Sequence, residues 1–283
     1  MAWILGAVAA LLVTAVGLLT LAVYQSVRPV RWGLAVSPGD FGIAYEDVTV
    51  PSRDGTKLAG WWVPAAGARG TVILCHGYPA NRSDVNPLIP FLNRGGYNVL
   101  AFDFRRLGES EGDICTIGAR EPEDLHGAVA YAQSRSHEAI GVLGISMGAA
   151  VSLMAAAANP DIRAVVADSA YRSLDVQVPR RFGSNRVAGA YASWLGRRIL
   201  GCPLSDASPL RAMPTLAPRP VLLIHGTADR VIPPADSEAL YAAATGPKDI
   251  WLAPDSHHVQ AHADHPAEYE RRVLAFFDGA LQP

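Results

Sequence analysis

The chain has 283 residues, half of them hydrophobic and 18% charged, with a net charge of −2. That is enough apolar material for one large α/β domain plus appendages, and with no basic stripe there is no footing for nucleic acid as a partner. Three cysteines, Cys75, Cys115 and Cys202, form neither a disulfide framework nor a paired metal motif, and Cys75 lies inside an apolar run where it reads as a small buried hydrophobe.

Trp3 to Tyr24 contains no charged residue. As a helix this stretch would reach roughly 33 Å, enough for a hydrocarbon core of about 30 Å. A cleaved signal peptide fits less well: no Lys or Arg precedes the apolar run, and the run is too long. Residues 1–25 are therefore expected to be a single membrane anchor, with Trp3, Tyr24 and Trp32 at the interfaces. Arg28 and Arg31 follow it, which by the positive-inside rule points the rest of the chain into the cytoplasm. Residues 26–42, with Pro29, Pro38 and Gly39, read as a linker, and 43–283 as the main domain.

Ile43 to Val50 and Lys57 to Val63 have strand patterns joined by Asp54-Gly55, an antiparallel hairpin signal. Thr71 to Cys75, Tyr97 to Phe102, Ala139 to Leu143, Ile162 to Ala167, Val221 to Ile224 and Asp249 to Ala253 are short apolar runs suited to buried parallel strands. Helical patterns alternate with them at Pro87 to Arg94, Pro122 to Ser134, Ala149 to Ala158, Pro234 to Ala244 and Pro266 to Phe277. The alternation predicts a mostly parallel sheet covered by helices on both faces. Residues 171–216 break the rhythm. They are rich in Arg, Gly and Ser, show one helical pattern at Val187 to Leu200, and read as a cap inserted over the strand ends.

Gly144-Ile145-Ser146-Met147-Gly148 sits between a strand pattern and a helix pattern. In that context a sharp turn holds the Ser146 hydroxyl out of both elements, with free N–H groups of the helix start beside it. A serine hydroxyl needs an adjacent base, itself oriented by a third group. Asp229, just past the Val221 strand, is the candidate acid, and Asp168, at the end of an earlier strand, is its rival. The base must come from Asp255-Ser256-His257-His258, and spacing alone does not separate the two histidines. The oxyanion needs two N–H donors. Met147, after the nucleophile, is one. The other falls in the loop after Cys75, where Pro79 has no N–H and Tyr78 remains. His76 in that loop reads as structural.

These residues resemble the α/β-hydrolase superfamily from about Ile43 to the C-terminus, most closely bacterial serine hydrolases described as esterases or prolyl-aminopeptidase-like proteins. The matching motifs are His76-Gly77-Tyr78-Pro79, Gly144-Ile145-Ser146-Met147-Gly148, His225-Gly226-Thr227-Ala228-Asp229 and His257-His258. The resemblance implies Ser146 as nucleophile, Asp229 as acid and His258 as base, with His257 where the family commonly has glycine. Arg105-Arg106-Leu107-Gly108 departs from the family's usual Arg-Gly-His-Gly. The implied substrate is a small ester or acyl compound, cleaved without a cofactor.

The same site would serve a peptidase, a thioesterase or an acyltransferase, since all pass through an acyl-enzyme. A peptidase cap would be expected to carry carboxylates for a substrate amine. This cap instead holds Arg172, Arg180, Arg181, Arg186, Arg197 and Arg198, which suits acidic or lipid-like substrates, although the plainer reading is a solvated or headgroup-facing surface. A non-catalytic membrane-anchored binding protein would show a broken triad, and here every member has a candidate. His258, His262 and His265, with Asp264, have metal-ligand spacing on a helix, but Pro266 interrupts the helix they would need.

Overall fold

Eight apolar segments pair into one sheet in the computed structural model, which describes residues 1–182 and 185–281. The hairpin is β1 (Glu46–Pro51) and β2 (Lys57–Val63). The remaining strands are β3 (Thr71–Cys75), β4 (Asn98–Phe102), β5 (Ile140–Ile145), β6 (Ile162–Asp168), β7 (Val221–Gly226) and β8 (Lys248–Ala253). The spatial order is β1-β2-β4-β3-β5-β6-β7-β8. β2 joins β4 antiparallel, and every pairing from β4 to β8 is parallel. β1 starts three residues later than the apolar pattern suggests. The Ile43 N–H is taken by the Pro38 carbonyl in the preceding turn (3.1 Å), so the chain joins the ladder only at Glu46.

The parallel strands are apolar throughout because both faces are buried. Alternate residues serve opposite cores, as the two-residue period requires. Ile73, Val142 and Leu223 face one, and Leu74, Leu143 and Leu222 the other. The first core is covered by α3 (Glu121–Arg135), α4 (Met147–Ala158) and α8 (Pro234–Ala243) through Leu125, Val151 and Leu240. The second is covered by α2 (Ile89–Arg94) and α10 (Pro266–Ala280) through Phe91, Val273 and Phe277, with the short α9 (Ala261–Asp264) adding Ala261.

Between β6 and β7 lie α5 (Leu174–Arg181), α6 (Arg186–Leu200) and the single-turn α7 (Pro209–Ala212). One cap helix was expected and two long ones are present. α5 hides in the sequence because Pro179 lies inside it and its composition is polar. Packing on α6 stabilises it. A Cβ at Gly189 would meet Pro179 at 3.2 Å, so the glycine lets the two helices approach closely.

α1 (Ala2–Val27) is long and apolar enough to cross a membrane. It stands clear of the domain through Leu18 and then docks, burying Val23 and Val27. The following segment is laid against the domain. Asn81 Nδ2 donates to the Trp32 carbonyl (3.0 Å), and Ser83 bonds Ala35 and Val36 through its hydroxyl.

Candidate active site

β5 ends at Ile145, and the chain turns directly into α4. The turn residue, Ser146, has φ 52° and ψ −115°, a conformation non-glycine residues rarely adopt. Its N–H is spent on the Asp168 carbonyl of β6 (2.8 Å), which ties the turn to the sheet. The flanking glycines are dictated by close approach. A Cβ at Gly144 would strike the Gly148 carbonyl, and one at Gly148 would strike the carbonyls of Cys75 and His76. The helix start is thus pressed onto the end of β3.

Two loops converge on Ser146. Asp229 follows β7, and His258 follows β8. His258 Nε2 lies 3.0 Å from Ser146 Oγ, and its Nδ1 lies 2.7 Å from Asp229 Oδ2. The structure brings these three residues into one hydrogen-bonded chain. His257 points elsewhere: it is exposed, with Nδ1 3.2 Å from the Ala228 carbonyl. Asp168 is buried one loop away and accepts from the Ser169 hydroxyl (2.8 Å). His262 lies 3.5 Å from Glu270, and His265 Nε2 lies 2.9 Å from the Pro254 carbonyl. With His258 between Ser146 and Asp229, the three histidines have separate partners, and no metal-ligating cluster exists among the described residues.

Asp229 is held from four directions. Its Oδ1 accepts from the Val231 and Ile232 N–H groups (2.8 and 2.9 Å). Its Oδ2 meets His258 and, at 3.2 Å, His225 Nε2. Burial alone would raise its pKa. The bonds from His225, His258 and the Ile232 N–H outweigh that and hold the carboxyl well below the usual range, so it is ionised at any ordinary pH. His225 was not singled out as a site residue in its own right. It is fully buried, with Nδ1 2.6 Å from the Ser237 hydroxyl and Nε2 2.9 Å from the Ile232 carbonyl. That carbonyl can only accept, so Nε2 carries the proton and Nδ1 accepts from Ser237. Burial pulls its pKa down, but the bond to Asp229 leads the groups that bring the net shift upward. The spacing His225 to Asp229 on one strand-loop corner was the sequence signal.

The β3 loop passes on the other side of Ser146. A Cβ on Gly77 would stand 3.3 Å from the serine Cβ. His76 fixes this loop, with Nδ1 2.7 Å from the Gly77 carbonyl and Nε2 accepting from the Phe104 N–H (3.0 Å). Met147 is the first residue of α4, a position whose N–H the helix leaves free. The Tyr78 N–H donates to no acceptor among the described residues. The departure at Arg105 to Gly108 serves packing. Arg105 binds Asp124 at 2.6 Å and Asp54 at 2.8 Å, while Asp103 pairs with buried Arg82.

A family model described as the alpha/beta hydrolase fold matches residues 70–188. The uncharacterised protein YfhR of Salmonella typhimurium is 34% identical over 259 residues, covering 83% of this chain and 82% of YfhR. The chain belongs to the α/β-hydrolase superfamily. Among solved structures, this hydrolase resembles the esterase Pf2001 of Pyrococcus furiosus, with a TM-score of 0.74 and 29% identity over 89% of this chain and 99% of that one. Rv2307c, an uncharacterised protein of Mycobacterium tuberculosis, is 31% identical to the hydrolase over 83% of the chain and 78% of its own length.

In this α/β-hydrolase the serine opens into a cavity of about 190 Å³. Its lining is mainly apolar and includes Met147, Tyr171, Leu174, Leu200 and Ile232, and the one charged lining residue is Arg181. Val23, Ser26 and Val27 of α1 also line it.

Proposed function

We propose that this hydrolase cleaves carboxylic esters through an acyl-enzyme formed on Ser146. The observation that carries the reading is His258 spanning Ser146 and Asp229 at 3.0 and 2.7 Å. Ser146 Oγ attacks the acyl carbon while His258 Nε2 takes its proton. Asp229, ionised and bound by His258 Nδ1–H, keeps that tautomer and stabilises the imidazolium. The Met147 and Tyr78 N–H groups receive the oxyanion, each worth about 3 kcal/mol. The C–O bond to the alcohol then breaks as His258 returns the proton, and water repeats the sequence to free the acid and Ser146. No cofactor enters any step.

Esters are favoured over peptides by the cavity lining, which offers no carboxylate to a substrate amine. The Pf2001 esterase supports the same choice. We further propose that α1 is retained as a membrane anchor. Its last residues are built into the domain: the Val27 carbonyl accepts from the Cys115 N–H (2.8 Å), and the Ser26 carbonyl accepts from the Tyr78 hydroxyl (2.7 Å). Removing a cleaved leader would strip a wall from the cavity. The arginines after α1 favour a cytoplasmic domain.

Labelling with a fluorophosphonate probe tests the nucleophile. Wild type should react covalently and Ser146→Ala should not. Equal labelling of both, or of neither, sinks the proposal.

A further inference from the structure

The Ser146 cavity has an unusual wall. Val23 and Val27 of α1 line it together with the cap residues Ala192, Gly196, Leu200 and Leu204. The same helix that is apolar enough to enter a membrane therefore borders the site. Its geometry fixes how near. The 17 residues from Ala2 to Leu18 stand free of the domain. They span about 25 Å. The apolar run continues past Leu18 to Tyr24, so a bilayer that takes up the whole run reaches the turn where the helix touches the cap: Thr20 Oγ1 lies 2.8 Å from the Tyr191 hydroxyl of α6.

α6 has the surface such a position demands. Val187, Ala190, Trp194, Arg197 and Arg198 fall at helical spacing and are all exposed. Val187 keeps 78% of its surface and Trp194 46%. The Arg198 guanidinium lies over the Trp194 ring at 5.8 Å. Next to α1, Arg28 covers the Tyr24 ring at 4.9 Å, and Trp32 is 64% exposed. Exposed aromatics backed by arginines on an otherwise apolar face are the make-up of a membrane interface. Arg172 and Arg180 turn inward onto Asp236, whereas Arg197 and Arg198 of α6 are exposed on this face.

We propose that the substrate is a membrane-resident ester with a long acyl chain, and that the chain is held between the last turns of α1 and the cap. The anchor is then one wall of the acyl site, and the site fills sideways from the bilayer. This rests on Ser146 acting as the nucleophile of an ester hydrolase.

The test uses the full chain in phosphatidylcholine vesicles, with p-nitrophenyl esters from acetate to palmitate. Each acyl methylene buried in the cavity adds about fourfold to kcat/KM. Wild type should rise with chain length to a plateau. Val23→Trp and Val27→Trp, which fill the wall, should lower the ratio of laurate to acetate turnover at least about tenfold, the equivalent of two lost methylenes. Val13→Trp, on the part of α1 clear of the domain, should keep the wild-type ratio. A flat profile for wild type, or an unchanged ratio in both wall variants, overturns the inference even where fluorophosphonate labelling and acetate hydrolysis are intact. Loss of those two activities in wild type instead removes the hydrolase reading. Should the tryptophan variants fail to fold, a long-chain fluorophosphonate bearing a terminal diazirine decides in wild type. Crosslinks at Val23 to Val27 or at Leu200 to Leu204 are expected, and crosslinks confined elsewhere overturn the inference.

Discussion

The floor and the roof of the Ser146 cavity are built on opposite terms. The floor is polar and fully committed. Ser146, His258, Asp229, His225 and Ser237 pass hydrogen bonds in one line, and the Asp229 carboxylate accepts from four donors. The roof, made of α5, α6 and the end of α1, is apolar inside, with aromatics and arginines left exposed outside. A site that must hold atoms to a few tenths of an ångström is fixed by directional bonds between rigid strand ends. A surface that receives a flexible chain needs only shape and apolar area. Perturbing the floor should therefore cost rate, and perturbing the roof should change selectivity.

The sharpest way to break this contrast is Asp229→Asn. The amide keeps the shape but offers His258 Nδ1 the wrong pairing, so the imidazole loses its orientation and its counter-charge. We expect kcat to fall about 10⁴-fold with the fold intact. Steady-state turnover of a short ester, beside a circular-dichroism melt, checks it. A loss below tenfold would detach Asp229 from the chemistry.

His225→Asn, which keeps a polar group at the Nδ1 position but has no donor at the Nε2 position, should be milder. The variant removes one hydrogen bond to a buried carboxylate, a loss of about 2 kcal/mol or some 30-fold in kcat. His225 is fully buried and does not line the cavity, so KM should hold while kcat drops. A matched rise in KM would mean that the whole loop had moved.

Gly148→Ala probes the floor's packing. The added methyl would overlap the Cys75 carbonyl, and relief requires α4 to lift from β3. We expect about 3 kcal/mol of destabilisation, at the upper end for overpacking. Gly279→Ala in α10 is the counterpart. Nothing lies within 4 Å of its Cβ position, and the helix should gain about 0.5–1 kcal/mol. Urea midpoints of the two variants should move in opposite directions.

The floor was largely legible in the sequence because its requirements are local. Gly144 and Gly148 announce a close approach, and Asp229 follows a short apolar run that ends at a strand tip. Spacing alone did not separate His257 from His258; only the family resemblance pointed to His258. Adjacent residues in a loop differ only in which way the backbone turns, and the Asp255 and Val259 positions, both at positive φ, set that turn. α5 was missed because its helix depends on packing against Gly189 rather than on its own propensity. The linker after α1 likewise carries no sign of its bonds to Asn81 and Ser83, which come from residues about 50 positions away.

Asp168 offers the finest test of where the floor ends. It lies at the tip of β6, beside the site yet outside the hydrogen-bonded line, and burial pushes its carboxyl up to about 6. An unfolded aspartate titrates near 3.9, so between about pH 4 and pH 6 the folded state binds the proton more tightly. Stability from this group is complete below about pH 4, is lost as the pH rises to about 6, and stays lost above it. Asp168→Asn has no proton to lose and can still accept from the Ser169 hydroxyl. The variant should therefore match wild type near pH 4 and exceed it by about 3 kcal/mol at pH 7.5. Its kcat should change little, since His258 leans on Asp229. Denaturant melts at the two pH values, with turnover measured alongside, check both halves. A large fall in kcat would draw Asp168 into the chemistry as a second acid and extend the floor by one strand.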